Sequence, residues 1–174
     1  MIECEVRAFI SEEKYNQLLH YFKKNATYIN EDDQETYYWN APHDLRIQKN
    51  NSYAKIWLKK GAIHDDARQE IEIKCKKEDF QNIRDLFEAL GYTITVCWYR
   101  NRHTFKWEDN ITVCIDHTKN YGHIIELEIL AQENNKEQAL EKIRQKLGAL
   151  DIQETPKEIF NKKFEEYKNK FQEK

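Results

Sequence analysis

Two periodicities divide the chain. Apolar residues recur at helical spacing in four stretches. Tyr15, Leu18, Leu19 and Phe22 follow a capping Ser11, and Phe80, Ile83, Leu86, Phe87 and Leu90 are stopped by Gly91. Leu140, Ile143, Leu147 and Leu150 make a third stripe, and Phe160, Phe164, Tyr167 and Phe171 a fourth. The last stripe opens on Thr155-Pro156-Lys157-Glu158, a capping-box spacing with proline at the first helical position, so the C-terminal helices are expected at about 134–172. Elsewhere the alternation has period two and predicts strands at about 2–9, 35–40, 44–48, 52–60, 68–75, 93–99, 101–107, 111–116 and 123–130.

The polar positions of these strands are ionised rather than neutral. Glu3, Glu5 and Arg7 project to one side of the first strand while Ile2, Cys4, Val6 and Ala8 project to the other. Glu70, Glu72 and Lys74 alternate with Ile71, Ile73 and Cys75, and Glu126 and Glu128 with Ile125, Leu127 and Ile129. Arg100, Arg102 and Lys106 share a face, Asp116 opposes Val113 and Ile115, and Lys55, Trp57 and Lys59 fall in one register. A flat antiparallel sheet with one solvated face would satisfy such strands one by one. A barrel with its polar faces inward and helices outside would satisfy them together.

Segregation of sign favours the barrel. Glu3 with Glu5, and Glu126 with Glu128, lie roughly 6–7 Å apart on one strand face. Partly buried, each pair would cost about 2–3 kcal/mol. A divalent cation removes that repulsion, and carboxylates without a cysteine or histidine cluster suit Mg²⁺ or Mn²⁺. Rows of arginine and lysine nearby suit phosphates bridged to such ions.

Composition narrows the alternatives. The 174 residues are 40% hydrophobic, 34% charged and 13% aromatic, which fits one globular α+β domain spanning 1–174. Lys plus Arg number 28 against 31 Asp plus Glu, a net charge of -3, which argues against duplex nucleic acid as a partner. No apolar run reaches membrane-spanning length and the start lacks a signal pattern, so a cytoplasmic protein without membrane attachment is expected, as monomer or homodimer. Cys4, Cys75, Cys97 and Cys114 form no Cys-x-x-Cys pair and read as buried thiols. The four glycines are scattered, which excludes glycine-rich phosphate loops and leaves side chains to hold any phosphate.

The set of motifs resembles the CYTH domain, also called the triphosphate tunnel metalloenzymes. The likeness rests on Glu3-Cys4-Glu5-Val6-Arg7, on Glu35-Thr36-Tyr37-Tyr38 before Leu45-Arg46-Ile47, and on Lys55 to Lys59 along a strand. Arg100-Asn101-Arg102, then Asp116 followed by Gly122 and Glu126-Leu127-Glu128, complete it in family order. The resemblance implies an eight-stranded antiparallel tunnel with a charged interior and helices packed outside. It implies a triphosphate-containing small molecule as substrate and Mg²⁺ or Mn²⁺ as cofactor. Carried over by position, Glu3, Glu5, Glu126 and Glu128 are metal ligands, with Asp116 a ligand or an acid behind them. Arg7, Arg46, Lys55, Lys59, Arg100 and Arg102 are phosphate clamps, Lys59 being preferred to Lys60 because it keeps register with Lys55.

Three departures stand out: Arg7 replaces the usual lysine, Gln48 takes the place of a second arginine, and Thr155-Pro156 stands where a Ser-Tyr is common. Glu128 is the candidate to activate water. Tyr37, beside Glu35, is a second catalytic candidate with a lowered pKa, packed aromatic being the alternative. Trp39 and Trp57 are available for stacking on a base or for packing. Family members hydrolyse inorganic triphosphate or thiamine triphosphate, or cyclise ATP to cyclic AMP. Hydrolysis of inorganic or small organic triphosphate is the leading expectation, ahead of an adenylate cyclase and of a non-catalytic polyphosphate-binding module.

Overall fold

Period two along the strands becomes two faces of one sheet in the computed structural model, which describes residues 2–60 and 67–172. Its strands are β1 (Ile2–Ile10), β2 (Thr27–Trp39), β3 (Asp44–Lys49), β4 (Tyr53–Lys59), β5 (Ala67–Arg68), β6 (Glu70–Lys76), β7 (Ile94–Lys106), β8 (Thr112–Thr118) and β9 (Gly122–Ala131). The helices are α1 (Glu12–Asn25), α2 (Phe80–Ala89), α3 (Lys136–Ala149) and α4 (Lys157–Gln172). Residues 61–66, Gly61 among them, and the chain ends, Met1 and residues 173–174, lie outside the described residues.

The sheet runs β5-β1-β9-β8-β7-β2-β3-β4-β6, antiparallel throughout. Its two ends are consecutive pieces of one segment. Arg68 of β5 pairs with Glu3 of β1, and Glu70 of β6, two residues on, pairs with Lys59 of β4. With β5 and β6 counted as one strand broken at Gln69, eight antiparallel strands curl round a common interior. The join is short, and beyond it the backbone of β1 finds another partner: Arg7 O accepts from Thr155 N (3.1 Å), and Phe9 N donates to Thr155 Oγ1 (3.0 Å). Thr155, expected as a helix cap, thus ties the C-terminal segment to the edge of β1.

Two strands are longer than their hydrophobic pattern suggests. β2 begins at Thr27 rather than near 35, because its run from Asn30 to Gln34 is polar on both faces and is held by pairing with β7. The predicted strands 93–99 and 101–107 are one, with Asn101 paired to Asp33 and His117 instead of turning the chain.

The outer face is covered in two places. Leu18 and Phe22 of α1 and Ile143 and Leu147 of α3 close over Val6, Phe105, Ile115 and Leu127, and full burial of such side chains contributes about 1.5–3 kcal/mol each. Ser11 Oγ accepts from Lys14 N (3.1 Å) to start α1, and Gly91 in a left-handed conformation (φ +87°) ends the α2 turn. Phe80 and Ile83 of α2 pack on Tyr37, Trp39, Ile47 and Ala54.

The fourth helix departs from the expectation of helices outside only. Phe164 of α4 packs with Val96 and Trp98, which share the inward register of Arg100, and Phe160 stacks on the inward Phe9 (4.3 Å between centroids). The inner face is apolar at that end of the strands, and α4 covers it.

Candidate active site

The interior encloses a cavity of about 240 Å³. Its lining includes Glu3, Glu5, Glu128, Arg7, Arg46, Arg100, Arg102, Lys55, Lys59 and Glu126. Strand alternation put them there: each lies on the charged face of β1, β3, β4, β7 or β9. Lys59 is buried and lines the cavity while Lys60 is exposed.

The acids separate into two sets. Glu5 of β1 is directly across from Glu128 of β9, and one oxygen from each of Glu3, Glu5 and Glu128 lies within 4.8 Å of the others. Burial raises the Glu128 carboxyl, Glu3 adds to the effect, and the outcome is a pKa of about 8. Three carboxylates at this spacing and without a hard cation repel one another, and their all-oxygen donor set fits Mg²⁺ or Mn²⁺. Cys114 and Glu126 also approach Glu128 within the same span. Burial keeps the Cys114 thiol well above its usual pKa, although Arg102 opposes it.

Glu126 behaves differently from Glu128. Burial pushes its carboxyl up, but Arg102, Arg100 and Arg7 outweigh burial and hold it well below the usual carboxylate range. It is bonded to Arg102 Nη2. Asp116, fully buried, accepts from Arg102 Nε (2.8 Å), Arg102 Nη2 (2.6 Å) and Arg100 Nη1 (3.0 Å). The geometry therefore makes Asp116 the acid that orients two arginines, rather than a member of the Glu3, Glu5 and Glu128 group.

The basic groups are each fixed by a neighbour. Arg7 Nη2 lies 2.9 Å from Glu5 Oε1. Arg46 Nε donates to Asp44 (2.7 Å), and its guanidinium lies over the Tyr38 ring at 4.2 Å. Lys55 reaches Glu72 at 2.8 Å, and burial lowers its pKa against that carboxylate. Lys59 bridges Glu3 (3.3 Å) and Glu70. Such pairing holds cations in place while the cavity supplies room for a polyanion between them.

Two contributors escaped the sequence pattern. Gln34 Oε1 accepts from Arg100 Nε (3.0 Å) and Nη2 (2.7 Å), and Gln48 Nε2 donates to Gln34 (3.3 Å) and to Thr36 Oγ1 (2.8 Å). Gln48 thus braces Gln34, which holds Arg100. Gln34 lies in the part of β2 that precedes the predicted strand; its place two residues before Thr36 and four before Tyr38 is the available signal. Asp44, the partner of Arg46, precedes the strand's first apolar residue and carried none.

Tyr37 is not brought to the cavity. It lies on the outer face against Phe80, and its hydroxyl donates to Glu35. Burial and then that hydrogen bond push the phenol well above its usual pKa, opposite to the expectation. Tyr37→Phe should leave turnover and its pH profile within about twofold of wild type while costing about 0.5–1.5 kcal/mol in denaturant unfolding. Trp39 also faces outward, against Phe87, whereas Trp57 lines the cavity.

Fold and site together define a class: a curled antiparallel sheet whose interior sets a carboxylate group against an array of fixed arginines and lysines. The chain belongs to the CYTH domain family, whose model matches residues 1–159. Members of this family are metal-dependent enzymes that bind triphosphates, among them triphosphatases and class IV adenylate cyclases. A Methanocaldococcus jannaschii protein named "Putative adenylate cyclase MJ0240" is 28% identical over 162 residues, covering 87% of this chain and 91% of its own. The PH1012 protein of Pyrococcus horikoshii superposes with a TM-score of 0.75 at 19% identity, over 89% of this chain and 95% of that one. The Hippeastrum protein "Putative adenylyl cyclase HpAC1", described as revealing a dominant triphosphatase activity, gives 0.61 at 15% identity over 87% and 88%. Among the described residues no helix is long and apolar enough to cross a membrane.

Proposed function

We propose that the protein is a Mg²⁺- or Mn²⁺-dependent hydrolase of inorganic triphosphate or a small organic triphosphate, the whole chain acting as one unit in the cytoplasm. The observation that carries this reading is the grouping of Glu3, Glu5 and Glu128 within one cavity whose lining also carries four arginines and two lysines. These three carboxylates would hold the ion. When bound, it neutralises phosphate oxygens and lowers the pKa of a water.

The remaining work falls to side chains. Arg7, Arg46, Lys55 and Lys59 neutralise the non-bridging oxygens and orient the chain of phosphates, and Arg100 and Arg102 stabilise the charge on the phosphate that leaves. Water adds to phosphorus, the bridging P–O bond breaks, and Glu128, which would be ionised beside a bound cation, accepts the water proton. Glu126 and Asp116 hold Arg102 and Arg100 for that task.

Size and occupancy of the aromatic faces favour a small substrate. A cavity of about 240 Å³ falls below the roughly 300–1,000 Å³ of sites that enclose drug-sized ligands. Tyr38 and Trp57 have Arg46 over their rings, and Trp98 packs on Tyr121 and Phe164, so these faces are engaged by the protein. Incubation with tripolyphosphate and with ATP in parallel, each with Mg²⁺ or Mn²⁺, tests the reading by product analysis. Orthophosphate from tripolyphosphate is expected. Cyclic AMP with pyrophosphate as the main product from ATP would move the assignment to a cyclase, and binding without turnover would leave a polyphosphate-binding module.

A further inference from the structure

Trp57 is the one indole on β4, and its surroundings are unusual for a core aromatic. Period two places Lys55 and Lys59 beside it on the same strand face, and strand pairing sets Arg46 of β3 directly across from it. All three cations lie over its ring: Lys55 Nζ at 4.0 Å, the Arg46 guanidinium at 5.0 Å and Lys59 Nζ at 5.7 Å from the centroid. These are within the roughly 6 Å at which a cation is attracted to an aromatic face, and tryptophan is the strongest such face.

The indole N–H tells the same story from the other side. Trp57 is 6% exposed, and its Nε1 finds no hydrogen-bond acceptor among the described residues. An unpaired buried donor is unfavourable, so the side chain is not held here for its hydrogen bond. Trp39, which shares that unpaired donor, sits in the apolar contact with α2 instead. What distinguishes Trp57 is a ring shared by three groups that would otherwise repel one another.

We propose that Trp57 is a positioning residue for polyanion binding: its indole face gathers Lys55, Lys59 and Arg46 into one basic wall of the cavity and so sets affinity for the substrate's phosphates. Each cation also has an acid beside it, Glu72, Glu70 and Asp44 respectively, which fixes it from the sheet, while the indole fixes all three relative to one another. Trp57 holds this role only if the cavity takes a polyphosphate, as proposed above. Because the wall meets phosphates in the ground state and the transition state alike, its loss should appear in KM rather than kcat.

The test compares Trp57→Leu, which removes the ring, with Trp57→Phe, which keeps a smaller and weaker aromatic face and gives up the unpaired donor. Inorganic tripolyphosphate is the probe, with KM and kcat measured under Mg²⁺ or Mn²⁺ and Kd by calorimetry without divalent cation. Trp57→Leu is expected to raise KM and Kd about tenfold with kcat within about twofold, and Trp57→Phe to restore most of the affinity. Trp57→Met, whose unbranched chain adapts to an irregular gap, carries the same comparison if the leucine variant does not fold.

Unchanged KM and Kd in a folded variant without the ring, or a phenylalanine variant as impaired as leucine, would overturn the role of Trp57 and leave the hydrolase intact. Tripolyphosphate binding that depends on Trp57 without turnover under either cation would uphold the positioning role and overturn the hydrolase. A wild-type protein that neither binds tripolyphosphate nor turns it over under either cation would overturn both.

Discussion

Glu128→Gln should reduce turnover of inorganic triphosphate by about 10²–10³-fold, the scale of losing one preorganised electrostatic group in an active site. The amide keeps the shape of the side chain but gives the Glu3, Glu5 and Glu128 group one charge fewer and no proton acceptor. The same substitution should stabilise the cation-free protein at alkaline pH, a dissociation of stability from activity that a merely structural residue would not show. The sign follows from the carboxyl's pKa of about 8 in the fold, raised by burial and by Glu3. Between the ordinary carboxylate range and about pH 8 the folded protein holds this proton and the unfolded chain does not. Glu128 therefore makes wild type less stable as pH rises through that window, with a slope of up to about 1.4 kcal/mol per pH unit. Denaturant unfolding of both proteins from pH 5 to pH 8.5, in chelator and in saturating Mg²⁺, measures it. The decline should be present in chelator, shallower in Mg²⁺ and absent from Glu128→Gln.

Asp116→Ala should produce the largest loss of stability. Asp116 is fully buried and takes three hydrogen bonds from Arg100 and Arg102, so its removal leaves two guanidinium groups short of a counter-charge in the wall of the cavity. Breaking a buried pair from one side costs about 3–5 kcal/mol. For a chain of this length that lowers Tm by roughly 10 °C. Asp116→Asn, which keeps an acceptor, should fall between alanine and wild type. Tripolyphosphate should recover part of the loss, because an anion that binds only the folded state restores charge balance there and stabilises it by mass action. Calorimetric melts with and without tripolyphosphate give both quantities, and an Asp116→Ala protein that melts with wild type would contradict the assignment of Asp116 as the anchor of both arginines.

The inward set was legible because a strand has only two faces. Once Ile2, Cys4, Val6 and Ala8 were assigned to a core, Glu3, Glu5 and Arg7 had to face the other way, and the same holds for Lys55 with Lys59 and Glu126 with Glu128. What period two cannot give is which inward neighbours meet across strands. Glu126 and Glu128 looked equivalent, yet pairing puts Glu128 opposite Glu5 and Glu126 opposite Arg7, so one joins the acids and the other is held by arginine. Asp116 was placed on the correct face, but its role depends on lying across from Arg102. Tyr37 was misplaced by its company: Glu35 and Tyr37 do share a face, and that face packs on α2. The polar start of β2, and Gln34 with it, carried no apolar alternation to mark a strand, because it is held by backbone pairing to β7 rather than by a buried face.

The most direct test of the central claim is the initial rate of orthophosphate release from tripolyphosphate against Mg²⁺ or Mn²⁺ concentration, for wild type beside a Glu3→Gln, Glu5→Gln protein. A rate that rises with the cation to saturation in wild type and is lost in the double variant is the predicted result. A rate independent of divalent cation, or one that the double variant retains, would contradict it.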